Sequence, residues 1–138
     1  MKNILLVEDV PELIALYREQ LSGAGFEVLV AEDGLTAMKM LHHSKPALVV
    51  LDLMLPKFNG AEVLKFIRTS PELKNVKVLI FSNAYMTEIA DRAAALGADA
   101  SLMKVNCTGA QLIKAVNDLL NGDDMTKQPE SQTTPPSS

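Results

Sequence analysis

Three acids, one hydroxyl and one amine each stand at or just beyond the end of a short apolar run in this sequence. Glu8 and Asp9 follow "NILLV", Asp52 follows "ALVVL", Ser82 closes "VKVLIFS" and Lys104 closes "ASLMK". An ionised carboxylate at the end of a buried run is costly unless something pairs it. Something elsewhere in the chain must therefore meet Asp52, or it must sit where solvent or an ion reaches it; pairing with a divalent cation and with Lys104 is the favoured answer. Crowded carboxylates repel one another, and one hard divalent ion relieves them; an all-oxygen set with positions left for water suits Mg²⁺. The Lys104 ammonium is a second, covalently fixed positive charge. A carboxylate held this way is an oxygen nucleophile of the kind that forms aspartyl-phosphates. Phosphoryl transfer mainly demands positioning and neutralisation of the equatorial oxygens. Mg²⁺, Lys104, the Ser82 hydroxyl and nearby backbone N–H groups supply both.

The elements that must position these groups alternate along the chain. Strands are expected over Asn3–Glu8, Glu27–Ala31, Ala47–Leu53, Val76–Ser82 and Ala100–Lys104. Between them, "PELIALYREQL" places Leu13, Leu16, Tyr17 and Leu21 on one helical face, and "GLTAMKMLHH" does the same for Leu35, Met38 and Leu41. Pro11 suits a first helical position, and Gly23 and Gly25 suit a stop. Asp33 can cap the second helix. Asn59 with Glu62, and Thr108 with Gln111, have capping-box spacing ahead of the third and fifth helices. Gly97 ends the fourth, "EIADRAAALGA", and the fifth runs through Leu120. This βα alternation implies a parallel α/β sheet covered by helices on both faces. In such sheets ligands bind beyond the carboxyl ends of the strands, where strand order reverses.

Composition narrows the functional classes. The net charge of −4 disfavours a nucleic-acid surface built from bulk positive charge. No apolar run approaches the length of a bilayer span, and "MKNILLVEDV" lacks the small-residue cleavage site of a signal peptide. A single cysteine, Cys107, excludes an intrachain disulfide and fits a reducing, cytoplasmic setting. Its bland reading, a small filler, is preferred to a catalytic thiol. His42 and His43 read as solvated residues near the negative end of their helix. From Asn121 the polar, Pro/Ser/Thr-rich composition predicts a disordered tail or a truncated linker over 121–138. Singly, Glu8 and Asp9 fit an acidic helix cap, Lys104 a solvated strand end and Ser82 a turn residue. Jointly these bland readings require a coincidence at every strand terminus but one.

Residues 1–120 resemble a response-regulator receiver domain of two-component signalling, of the chemotaxis-regulator fold type. The resemblance rests on "LLVED", "VVLDLMLPKFNG", "VLIFSNA" and "GADASLMK" in that order. It implies a flavodoxin-like five-stranded parallel sheet in order 2-1-3-4-5, and a signalling switch, not an enzyme acting on other substrates. Asp52 would accept a phosphoryl group from a sensor histidine kinase or phosphotransfer protein. Asp9, Asp52 and the Met54 carbonyl would ligate Mg²⁺, with Glu8 acting through water. Ser82, Lys104 and the Asn83 backbone would contact the phosphoryl group. Met54 and Ala84 flank the path of hydrolytic water; neither can orient it, which implies slow self-dephosphorylation. The face formed by the fourth helix, fifth strand and fifth helix would meet a downstream protein.

Three positions depart from the family pattern. Ser101 replaces the aromatic residue three before the lysine, so a ring-based rotamer switch is absent or relocated. Phe81 and Tyr85 lie nearby and read as a core residue and a surface aromatic. Val105 replaces the proline that follows the lysine, which predicts a trans Lys104–Val105 bond, since a cis bond without proline costs ~2.5–4 kcal/mol. Asn83 replaces a smaller residue and is expected to obstruct the phosphoryl site in part. These departures keep alive a pseudo-receiver, a binding module without the chemistry. A flavodoxin-like cofactor protein is opposed by the two carboxylates of "VEDVPEL", which would repel a flavin phosphate. An aspartate-based phosphohydrolase would place a second acid where this chain has Met54.

Overall fold

The structure, a computed structural model, describes residues 2–57, 59–83 and 88–122. Ala84, Tyr85 and residues 123–138 of the polar tail lie outside that set. Five strands alternate with five helices: β1 (Asn3–Val7), α1 (Pro11–Gly23), β2 (Glu27–Ala31), α2 (Gly34–Ser44), β3 (Leu48–Leu51), α3 (Gly60–Thr69), β4 (Lys77–Ser82), α4 (Glu88–Ala95), β5 (Ala100–Met103) and α5 (Gly109–Leu120). A single 3-10 turn, Lys104–Asn106, links β5 to α5. The strands form one parallel sheet in order β2-β1-β3-β4-β5. The expected fold and strand order are observed.

Strand periodicity divides the core in two. Ile4, Leu6, Leu48, Val50, Leu79 and Phe81 point to one face, where Tyr17 and Leu21 of α1 and Leu112, Val116 and Leu119 of α5 cover them. Leu5, Val7, Val49, Leu51, Val78 and Ile80 point to the other, against Leu41 of α2, Val63, Leu64 and Ile67 of α3 and Ala93 of α4. Covering on both faces explains the unbroken apolar run of β3. Two helix faces differ from expectation. Leu16 is 44% exposed, because α1 buries the stripe of Tyr17 and Leu21. Leu35 is 36% exposed, because α2 turns Gly34, Ala37 and Leu41 inward.

Local chemistry fixes the helix starts. Asp33 Oδ1 accepts from Thr36 N at 2.7 Å. Asn59 and Glu62 form a reciprocal capping box at 3.1 and 2.9 Å, as do Thr108 and Gln111 at 3.1 and 2.8 Å. Arg68, near the end of α3, joins elements distant in sequence. Its guanidinium donates to the carbonyls of Lys74, Val76 and Gly97 and to Asp99 Oδ2 at 2.8 Å. Asp99 Oδ2 also accepts from Val78 N at 2.8 Å, which secures the entries to β4 and β5.

Candidate functional site

The register of the sheet assembles the strand ends. Val7 pairs with Leu51, Leu51 with Ile80, and Ile80 with Ser101. One step beyond the first two lie Glu8 and Asp52; two beyond Ile80 lies Ser82, and three beyond Ser101 lies Lys104. β3 ends at Leu51 and β5 at Met103. Asp52 and Lys104 therefore sit just past their strands, where the expected runs had included them. Here the backbone leaves the ladder and side chains can converge. The order reversal between β1 and β3 falls at this edge.

Glu8, Asp52 and Ser82 are the buried polar side chains among the described residues, at 1%, 7% and 2% exposure. Each has partners, as buried polar groups require. Ser82 Oγ donates to Asp52 Oδ1 at 2.7 Å, and Met54 N donates to the same oxygen at 3.0 Å. Lys104 Nζ donates to Asp52 Oδ2 at 2.7 Å and also to Glu8 Oε1. The other Glu8 oxygen accepts from Asp9 N and Val10 N at 3.1 and 3.2 Å. Glu8 thus bonds the turn ahead of α1 as well as Lys104, while the helix itself carries no side-chain cap bond. Burial opposes charge on Lys104, but the bonds from Asp52 and Glu8 outweigh it and hold the ammonium above its ordinary value.

Glu8, Asp9 and Asp52 each offer a carboxylate oxygen within 4.8 Å of the others, with Asp9 exposed. Against Lys104, these acids leave two negative charges uncompensated, which one divalent cation matches. The donors are all hard oxygens and one side is open to solvent, so the set fits Mg²⁺.

The loop from Asp52 to α3 is held closely. Gly60 N donates to Leu53 O at 2.9 Å. A Cβ at Gly60 would stand 2.5 Å from the Asp52 carbonyl and 2.6 Å from Leu53 Cα, so only glycine allows this approach. Farther along, Lys57 adopts a positive φ of 59° and reaches Asp33 at 3.6 Å. Met54 projects outward, 56% exposed.

The residues that depart from the family pattern now have defined surroundings. Ser101 is exposed and borders a cavity of about 330 Å³ between the sheet and α4, lined also by Leu53, Ile80, Ala93 and Ala98. No described peptide bond is cis, so Lys104–Val105 is trans as expected. Asn83, where partial obstruction of the phosphoryl site is expected, accepts from Val105 N through its Oδ1 at 2.9 Å. Phe81 is a core residue, as expected, with Tyr17 packed edge-on at 4.9 Å. Burial pushes the Tyr17 phenol up, with Lys104 opposing. Burial also raises the Cys107 thiol, in keeping with a filler. His42 and His43 are exposed in the last turn of α2. Sequence reasoning did not find the Asn83–Val105 bond or the role of Arg68. The first had a signal: a hydrogen-bonding side chain after Ser82, and an N–H where proline has none.

The family model for the response regulator receiver domain matches residues 4–117. The chain belongs to that family. Receiver domains are signalling components of two-component systems. This one is similar to the polar-differentiation response regulator DivK of Brucella anthropi, with 27% identity over 103 residues, 75% of this chain and 84% of DivK. It is also similar to the alkaline phosphatase synthesis transcriptional regulatory protein PhoP of Bacillus subtilis. That match is 43% identical over 67 residues, 49% of this chain and 28% of PhoP, so the receiver spans a minor part of that regulator's length. The solved signal receiver domain of a signal transduction histidine kinase from Syntrophus aciditrophicus superposes with a TM-score of 0.82 at 25% identity, covering 97% of this chain and 98% of that one. Among the described residues, no helix is long and apolar enough to cross a membrane.

Proposed function

We propose that Asp52 accepts a phosphoryl group from the phosphohistidine of a sensor kinase or phosphotransfer protein, and that the resulting charge changes protein contacts. One observation carries this reading. Asp52 is buried at the sheet's order reversal, bonded by Ser82 and Lys104, with Glu8 and Asp9 alongside.

In the transfer, an Asp52 carboxylate oxygen forms a bond to phosphorus while the P–N bond to the donor imidazole breaks. The leaving imidazole keeps the electron pair and takes up a proton. Lys104 is placed to move from Asp52 toward the new phosphoryl oxygens, as is the Ser82 hydroxyl, with the Asn83 N–H as a further donor. Asp9, Asp52 and the Met54 carbonyl would hold Mg²⁺, with Glu8 acting through water. The ion supplies neutralisation of phosphoryl charge. Loss of the phosphoryl group is slow, since Met54 cannot position water and Ala84 has no polar group. The protein acts as a switch in the cytoplasm, and its downstream partner meets the α4–β5–α5 face.

Incubation with Mg²⁺ and acetyl phosphate or a charged kinase, followed by mass spectrometry, tests this reading. One added phosphate, lost in Asp52→Asn, is expected. No adduct from either donor would overturn it. The cavity beside Ser101 favours an output that does not depend on a ring at that position. A pseudo-receiver would give no response to Mg²⁺ with beryllofluoride.

A further inference from the structure

We propose that Asn83 is a positioning residue that ties the Ser82 end of β4 to the Lys104 turn. Through the Val105 amide it carries displacement at the phosphoryl site into the link between β5 and α5. The inference rests on the phosphoryl-acceptor reading of Asp52.

Both ends of the tie are one residue from a group that contacts Asp52. Ser82 donates to Asp52 Oδ1, and Asn83 follows it. Lys104 donates to Asp52 Oδ2, and Val105 follows it. The Asn83 Oδ1 bond to Val105 N, 22 residues apart in sequence, closes a ring through Asp52, Ser82, Asn83, Val105 and Lys104. Every link in that ring is a backbone bond or a hydrogen bond of 2.9 Å or less.

Val105 lies in the first turn of a 3-10 segment, where N–H groups have no partner within the helix. Val105 is 64% exposed, and its amide donates to Asn83 Oδ1, one residue past the end of β4. The alternative route to the fifth strand leads past Ser101, which borders a cavity and offers no bulk to push against. If capture of a phosphoryl group draws Ser82 away from Asp52 Oδ1 and Lys104 away from Oδ2, the two ends must move in concert or the Asn83 bond breaks. In either event Val105, Asn106 and Cys107 register the change.

Amide chemical shifts under Mg²⁺ and beryllofluoride test the tie. Met54 N, bonded to Asp52, reports loading of the site, and the amides of Val105, Asn106 and Cys107 report the link. All four should move together in the unaltered chain. In Asn83→Ala, brought to the Met54 endpoint at whatever concentration that takes, the movement of the other three should fall at least about twofold. Asn83→Asp, which keeps an acceptor oxygen, should restore it. Equal movement in Asn83→Ala and the unaltered chain would overturn the tie while leaving Asp52 as acceptor. A Met54 amide that never moves in the unaltered chain would overturn the acceptor reading, and the tie with it.

Discussion

Ser82 Oγ donates a 2.7 Å hydrogen bond to Asp52 Oδ1, and both side chains are buried. The hydroxyl therefore stabilises the resting carboxylate before it can serve anything else. Ser82→Ala removes one bond to a charged group, and unfolding in urea should show a loss of roughly 1.5 kcal/mol. Asp52 keeps Lys104 and the Met54 N–H, so phosphate uptake should persist while the amide shifts that accompany it diminish.

Lys104 is the cation that offsets two buried carboxylates. Lys104→Met leaves them unpaired and should cost roughly 3 kcal/mol. Mg²⁺ should then raise the melting temperature of the variant more than that of the unaltered chain. Equal gains would contradict the proposed charge balance.

The same lysine sets an alkaline limit. Its pKa is raised on folding above the ordinary 10.5, because the bonds from Asp52 and Glu8 outweigh burial. Its contribution to stability is fully present below that ordinary value and is lost as pH rises through the folded one. The Tyr17 phenol, raised by burial, contributes with the same sign. In a Tyr17→Phe background, stability should therefore fall above about pH 10.5, and the added Lys104→Met change should flatten that fall.

Gly60 has no room for a methyl group against the Asp52 and Leu53 backbone. Gly60→Ala must shift main chain, not a flexible side chain. A loss of roughly 1–3 kcal/mol is expected, together with weaker Mg²⁺ uptake by calorimetry. Arg68→Ala separates the two effects. It should cost roughly 2 kcal/mol through lost charged hydrogen bonds, yet leave Mg²⁺ uptake unchanged, since Arg68 bonds lie around Lys74–Val76 and Gly97–Asp99.

An aspartyl-phosphate on this chain should outlast seconds, and Met54→Asn, which adds a water-orienting amide at an exposed position, should shorten its life. Radiolabel retention measures both. Loss within seconds from the unaltered chain would refute the role given to Met54.

What was legible in the sequence was mostly local or periodic. The capping boxes at Asn59 and Thr108 involve partners three residues apart, and the apolar runs announced a doubly covered sheet. The convergence of Glu8, Asp9, Asp52, Ser82 and Lys104 followed from a rule about strand ends, which does not need exact boundaries. Those boundaries were less legible, because Leu53 stays buried after the ladder stops and an apolar run looks the same either way. Leu16 and Leu35 misled for a related reason: apolar residues flank the buried stripe of a helix as well as filling it. Arg68 was illegible because most of its acceptors are backbone carbonyls, which carry no residue-type signal. The Asn83 bond to Val105 N was not read, because it joins residues 22 apart in sequence.

Alternation along the strands gives the two sides of this sheet different halves of the same event. Glu8 and Asp52 continue the rows that face α1 and α5, whereas Ser82 continues the row of Val78 and Ile80 beneath α2, α3 and α4. The carboxylates are thus bedded on one layer, and the hydroxyl that answers them on the other. On the phosphoryl-acceptor reading, substitutions beneath α4, Ser101 among them, should alter output while leaving phosphate uptake at Asp52 intact.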